Sequence, residues 1–297
     1  MKPHIKYAGG KRGVLDQFKV IFPKSMDFAN YYEPMVGSGA VMLGIYDRLK
    51  NDVIIGDASP RVCAMWKGVT HYPVAVSEAV GYWADRYNGA TEDVRRGMFE
   101  AARTAMNAGP RLGFCLVPAE MFGEGHLLGC VFDAAVFIAV NRTCFNGLYR
   151  VNQQGKFNVP WGKYKMVPQD LGGRVYAVGA KLNEGSVKVE AGDYRATTHG
   201  AIEGDVVYFD PPYYKNFDQY TTGRFKWPEQ VRLCEWAKEL AEEGVKVFAS
   251  NSSTPEIRDL WSWATCHEIQ VKRTISCKAE TRGAGVELLF EGGPTPC

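Results

Sequence analysis

The sequence has little excess charge of either sign: 35 Lys and Arg stand against 33 Asp and Glu, a formal net charge of +2 over 297 residues. That balance does not by itself announce a nucleic-acid partner. If DNA is bound, positive charge must be gathered on one face, because phosphate neutralisation by Lys and Arg supplies most non-specific affinity. Long apolar runs are also missing. The longest, Leu127 to Val140, is broken by Asp133 and falls short of the roughly 18–20 residues that cross a bilayer, so it reads as a buried helix. Met1-Lys2-Pro3-His4 holds no apolar stretch suited to a secretion signal. The eight cysteines form no C-x-x-C pair and no Cys/His cluster at zinc-ligand spacing, so reduced cysteines, no metal and a cytoplasmic protein are expected. The dinucleotide fingerprint G-x-G-x-x-G and the P-loop pattern are absent too.

What is present is the composition of an ordinary globular protein, 46% hydrophobic and 23% charged. The length suits one large domain or two modest ones. Four strand-like runs each end in a turn: Tyr31 to Met35 before Gly37-Ser38-Gly39, Val53 to Ile55 before Gly56-Asp57, Val206 to Phe209 before Asp210-Pro211-Pro212, and Val245 to Ala249 before Ser250-Asn251. Between the last two, Pro228 and Glu229 suit a first helical turn. Leu233, Ala237, Leu240 and Ala241 then make one apolar stripe, and Gly244 stops it. Strands alternating with helices predict an α/β fold with a mostly parallel sheet, whose ligands collect at the carboxyl ends of the strands. From about Arg61 to Ala108 the pattern is helical. An apolar helix follows to about Asn141, and then a polar and aromatic segment, Arg142 to Tyr164, with turn signals at Asn146-Gly147 and Gln154-Gly155. This predicts a helical insertion carrying a hairpin.

Asp210-Pro211-Pro212-Tyr213 is the sharpest local signal. An adenine amino group is a poor nucleophile because its lone pair is delocalised into the ring. A carboxylate and a backbone carbonyl accepting its two hydrogens pull the nitrogen toward tetrahedral geometry, and Tyr213 offers a ring for stacking. The bland alternative is a strand-ending turn. Glu33 to Gly39 puts glycines after a strand, where a bulky ligand approaches the backbone, though a lone Gly-Ser-Gly turn is more often structural. Asp57, about 20 residues on, is placed for ribose hydroxyls or for a helix cap. Lys6 to Lys11 sets two lysines around a glycine pair, and alone reads as a solvated basic terminus. Asn141 to Arg150 mixes amides, arginines and apolar wedges of the kind that read or enter a DNA duplex, and alone reads as a surface turn.

Taken in order, these segments resemble the Dam family of DNA adenine-N6 methyltransferases over nearly the whole chain. Lys6-Tyr7-Ala8-Gly9-Gly10-Lys11 matches K-W-A-G-G-K, Glu33 to Gly39 matches E-P-F-V-G-[AS]-G, and Asp57 matches the acid of D-I-N. Asn141 to Arg150 matches N-R-T-x-F-N-G-L-x-R, Gly155 to Tyr164 matches G-x-F-N-V-P-F-G-R-Y, and Asp210 to Tyr213 is D-P-P-Y. The resemblance implies a Rossmann-like methyltransferase core, residues 1–60 and 167–297, with an inserted, mainly helical target-recognition domain over 61–166. It implies S-adenosyl-L-methionine as methyl donor and an extruded adenine in double-stranded DNA as acceptor, with GATC or a related site as target. By the same matching, Tyr7, Lys11, Glu33, Gly37, Ser38, Gly39 and Asp57 line the donor pocket with Asp210, and Asp193 lies near the donor's adenine. Asp210, Pro211 and Tyr213 hold the target base, while Lys6, Phe145, Asn146, Leu148, Arg150, Lys163 and Tyr164 contact DNA. Three departures stand out: Tyr7 replaces a Trp, Asp57 lacks the following Ile-Asn, and Lys163 replaces an Arg whose planar fork it does not reproduce. The rival readings are a cytosine N4 or RNA acceptor, and a catalytically silent DNA-binding module. A cognate restriction nuclease as partner is left open.

Overall fold

A computed structural model describes residues 3–7, 10–27, 29–108, 126–214, 225–272 and 284–294. Its elements in chain order are α1 (Leu15–Ile21), β1 (Tyr31–Glu33), α2 (Ala40–Ile45), β2 (Val53–Asp57), α3 (Pro60–His71), α4 (Pro73–Gly89), α5 (Glu92–Ala108), α6 (His126–Thr143), α7 (Leu171–Leu182), β3 (Val187–Ala191), α8 (Tyr194–Thr198), β4 (Val206–Phe209), α9 (Trp227–Glu242), β5 (Lys246–Ser252), α10 (Pro255–Leu260), β6 (Thr265–Lys272) and β7 (Ala284–Gly292). The chain divides into two compact units. The first comprises Met1–Gly10, Gly37–Gly39 and Ser59–Ala191, and the second Lys11–Val36, Ala40–Ala58 and Gly192–Cys297.

The second unit is a twisted α/β layer with strands in the order β2-β1-β4-β5-β7-β6. β1 pairs in parallel with β2 on one side and β4 on the other, and β5 extends the parallel run with Val206 opposite Lys246. β7 and β6 then add an antiparallel edge. β1, β4 and β5 are buried along their whole length, which is why they read as near-continuous apolar runs without alternation. Their side chains still alternate between faces. Tyr208 and Phe248 meet Phe18 of α1 and Phe22 just past its end, with Phe22 stacked 4.1 Å from Phe248. Val207 and Phe209 instead join Leu233, Ala237 and Leu240 of α9, together with Ile257, Trp261 and Phe290. The α9 stripe is the predicted one, and Pro228 lies in its first turn. The chain order reverses between β1 and β4, and the crevice beyond such a reversal is where open parallel sheets receive ligands.

The first unit is mainly helical, and the predicted helical region resolves into α3, α4 and α5 before α6. The Arg142–Tyr164 segment is a hairpin of isolated antiparallel bridges, Cys144 with Trp161 and Val151 with Phe157. Its turn is closed by Asn152 N–H donating to the Lys156 carbonyl at 2.8 Å. α7 stays with the first unit because it packs on α4, where Ser77 Oγ donates to the Gly172 carbonyl at 2.9 Å. Among the described residues no helix is long and apolar enough to cross a membrane.

Candidate active site

Asp210 follows β4 directly, at the switch point of the second unit. Lys11, at the start of the short turn ahead of α1, is 4% exposed, and its Nζ lies 2.8 Å from Asp210 Oδ1. Burial alone would lower the Lys11 pKa, but the Asp210 carboxylate, with smaller help from Tyr208 and Glu287, carries it above the ordinary lysine value. Burial raises Asp210 from its ordinary value, Lys11 opposes that rise, and Glu287 adds to it. Lys11 is thus held as a cation, and it favours the charged form of the carboxylate beside it.

The rest of the Asp-Pro-Pro-Tyr segment is tied to the sheet by side chains buried beneath it. Gln230 of α9 donates from Nε2 to the Pro212 carbonyl at 2.8 Å, and Asn251 Nδ2 donates to Gln230 Oε1 at 2.9 Å. Asn251 Oδ1 accepts from Ser252 N–H, and Ser252 Oγ donates to the Tyr214 carbonyl at 2.8 Å. Tyr213 donates its hydroxyl to Glu287 Oε2 at 2.9 Å, and Lys11 Nζ stands 4.6 Å from the centre of its ring. Beneath them Tyr208 Oη and Ser250 Oγ share a hydrogen bond of 2.7 Å.

Two further acids end neighbouring strands. Glu33 closes β1 and is 2% exposed; its Oε2 accepts from Tyr31 Oη at 2.7 Å and from Met42 N–H at 2.9 Å. Burial pushes its pKa up to about 8, with Asp210 adding to the rise, although the Tyr31 and Met42 bonds and Lys11 pull it down. Asp57 ends β2 and is half-buried. Glu33, Asp57 and Asp210 therefore stand at the carboxyl ends of three neighbouring parallel strands, β1, β2 and β4. Hydrogen-bond acceptors at neighbouring strand ends fit a ligand that carries ribose hydroxyls. Asp193 follows β3 and caps α8 through a 2.9 Å bond from Arg195 N–H.

The first unit holds the remaining candidates. Gly37 and Gly39 both lie in the left-handed region, and a Cβ on Gly37 would come within 2.8 Å of the Tyr7 ring. Trp66 Nε1 donates to the Gly37 carbonyl at 3.0 Å, and Ser38 is buried. Asn141 and Arg142, which open the Asn-Arg-Thr segment, are buried and spend their polar groups on the chain itself. Asn141 accepts from Lys6 N–H at 2.8 Å and donates to the Lys6 carbonyl at 2.7 Å, while Arg142 Nε donates to the His4 carbonyl at 2.7 Å. Lys6 is thereby carried beside the hairpin, its Nζ 3.9 Å from the centre of the Tyr164 ring. Gly147 has φ +64°, and a side chain there would collide with Lys6. Phe145 is 50% exposed, Asn146 has φ +53°, and Arg150 Nε donates to Asn158 Oδ1 at 2.8 Å. Lys163 is held at φ +56°.

The second unit thus brings Lys11, Asp210 and Tyr213 together, with Glu33 and Asp57 on neighbouring strand ends. The first unit gathers Lys6, Tyr164 and the Asn141–Arg150 segment. Ala8 and Gly9 of the opening motif lie outside the described residues. Sequence reasoning missed Gln230, Asn251, Ser252 and Glu287. Only Asn251 carried a signal, as a polar residue ending an apolar strand.

The sheet and the Asp-Pro-Pro-Tyr loop at its switch point are those of a methyltransferase with a Rossmann-like α/β core. The chain belongs to the D12 class N6 adenine-specific DNA methyltransferase family, whose model matches residues 7–275. It is 31% identical over 303 residues to the type II methyltransferase M.MjaIII of Methanocaldococcus jannaschii, covering 98% of each chain. It is 30% identical over 292 residues to the DNA adenine methylase of Escherichia coli, covering 96% of this chain and 93% of that one. The type II methyltransferase M1.LlaDCHI of Lactococcus lactis is 29% identical over 297 residues, covering 97% and 94%. The protein is an adenine-specific DNA methyltransferase.

Proposed function

We propose that the chain transfers a methyl group from S-adenosyl-L-methionine to the exocyclic amine of an adenine extruded from duplex DNA, at GATC or a related site. The observation that carries this reading is the ion pair between buried Lys11 and half-buried Asp210 at the head of the Asp-Pro-Pro-Tyr segment. The donor, when bound, supplies a methyl group already activated on a sulfonium, so the reaction requires no metal. Asp210 Oδ and the Pro211 carbonyl accept the two amine hydrogens and bring the nitrogen lone pair out of conjugation with the ring. Tyr213 stacks on the base, and extrusion is what lets an enzyme reach an atom inside the duplex. Glu33, Asp57 and Asp193 take the donor's polar groups, and Lys11 keeps Asp210 ionised. Tyr7, Gly37, Ser38 and Gly39 keep the donor contacts that the family resemblance gives them. Lys6, Phe145, Asn146, Leu148, Arg150, Lys163 and Tyr164 face DNA, some on the backbone and some on the bases. Such a protein works in the cytoplasm, alone or beside a cognate nuclease.

The test is incubation with labelled S-adenosylmethionine and unmethylated DNA, followed by digestion to nucleosides. N6-methyladenine is the expected product, and N4-methylcytosine alone would overturn the choice of acceptor. Asp210→Ala is expected to abolish transfer while largely sparing DNA binding; retained turnover would refute the mechanism.

A further inference from the structure

Tyr213 is gripped from two directions by groups outside its own segment. Lys11 Nζ faces the ring, and Glu287 Oε2 accepts from the hydroxyl at 2.9 Å. Glu287 sits within β7, opposite Ser252 of β5 and Ile269 of β6. Its backbone is therefore held by ladders on both sides, and the carboxylate reaches Tyr213 from a rigid element. Ser252, directly across from it, also donates to the Tyr214 carbonyl. Two neighbouring positions of the sheet thus hold two successive residues of the loop, one by its side chain and one by its backbone. A tyrosine ring turns about only two side-chain torsions. A cation facing the ring and an acceptor at its tip together leave one orientation strongly preferred.

We propose that Glu287 is a positioning residue for methyl transfer, which through the Tyr213 hydroxyl sets the plane of the ring on which the target adenine stacks. The inference rests on the reading of Asp210, Pro211 and Tyr213 given above. Burial, with Asp210 and Glu287 adding, pushes the Tyr213 phenol well above its ordinary pKa. The hydroxyl therefore keeps its proton and serves as donor throughout the working range. A base stacked on a correctly held ring presents its amine to Asp210 and Pro211. A ring free to rotate loses that alignment, and misplacement by about 1 Å costs a reaction on the order of a hundredfold.

The experiment measures kcat, KM for S-adenosylmethionine, KM for unmethylated plasmid DNA, and melting temperature for each variant. Glu287→Ala is expected to lower kcat about tenfold, with both KM values within about threefold of the parent. Glu287→Gln keeps an acceptor oxygen at the same reach and should return kcat to within about threefold. Tyr213→Phe should match Glu287→Ala, and the double variant should be no slower than either single one. A kcat for Glu287→Ala within about twofold of the parent, or losses that multiply in the double variant, would overturn the proposal. If Glu287→Ala fails to fold, Tyr213→Phe decides, because it removes a single oxygen: full kcat overturns the proposal, and reduced kcat with unchanged melting supports it. Asp210→Ala run alongside separates the two ideas. Turnover in that variant removes the underlying mechanism, whereas an inactive Asp210→Ala beside a fully active Glu287→Ala removes Glu287 alone.

Discussion

At Glu33, burial and hydrogen bonding pull in opposite directions, and burial wins. The unfolded carboxyl titrates near 4.5 and the folded one near 8. Between those values the folded chain holds a proton that the unfolded chain has released. The stability linked to this group is therefore full below the unfolded value and is lost as pH rises through about 8. Gln at this position keeps an oxygen to accept from Met42 N–H and Tyr31 Oη but has no proton to lose. Melting of the ligand-free protein should fall between about pH 4.5 and about pH 8, and Glu33→Gln should flatten that fall. Parallel curves for the two proteins would rule out Glu33 as its source. His4 behaves in the opposite sense: burial, with Arg142 adding, holds it down at about 3, so its contribution is present above its ordinary value and lost toward acid. Neither shift is legible in the sequence, since each arises first from burial in the folded chain. What was legible at this scale is residue type at a strand end: Asp57 and Asp210 stand where that signal put them, whereas the strand read as Tyr31 to Met35 ends already at Glu33.

The elements divide by how their sequences encode burial. β4 has the bounds read from the sequence, and α9 differs by about a residue at its start, because a continuous apolar run and a helical stripe closed by Gly are strong local patterns. The antiparallel pair β6 and β7 went unread. β6 is a sheet edge on which only Ile269 is buried among residues 265–271, so its polar face hides the strand signal. That omission left Glu287, which β7 carries and which accepts from Tyr213, unread. The hold of α9 on the Asp-Pro-Pro-Tyr loop was hidden in the same way: Gln230 is 1% exposed, yet an amide in a helix reads as a surface residue, and only Asn251, also 1% exposed, stood out as a polar residue ending an apolar strand. Gln230→Met keeps the volume and removes both amide bonds, leaving the Pro212 carbonyl and Asn251 Nδ2 without a partner they now share. Urea unfolding should show a loss of about 1–3 kcal/mol, together with reduced turnover. Unchanged stability and turnover would mean that the loop keeps its shape without this clamp.

Over the whole molecule, the near-neutral balance conceals a division between the units. The first unit carries 17 Lys and Arg against 11 Asp and Glu, a net +6; the second carries 18 against 22, a net −4; the two sum to the +2 of the chain. The excess of positive charge thus lies in the unit that holds the hairpin. The acidic unit is the one that holds the proposed donor's acids, which suits a cationic ligand as the basic unit suits phosphates. Affinity for DNA should therefore fall steeply with salt although the protein as a whole is almost uncharged, because counterion release depends on the cations at the contact. Lys163 offers a clean test. Its φ of +56° is a conformation that Asn tolerates better than most residues, so Lys163→Asn removes the charge without adding backbone strain. If Lys163 contacts a phosphate, this variant should melt as the parent does, bind all sequences more weakly, and lower the slope of log affinity against log salt by about one. Arg150→Ala should instead relax target preference, costing about 1–3 kcal/mol on the cognate site and little elsewhere. An unchanged salt slope for Lys163→Asn, with altered sequence preference, would move Lys163 from the backbone to the bases and make it a reader of the outer target positions.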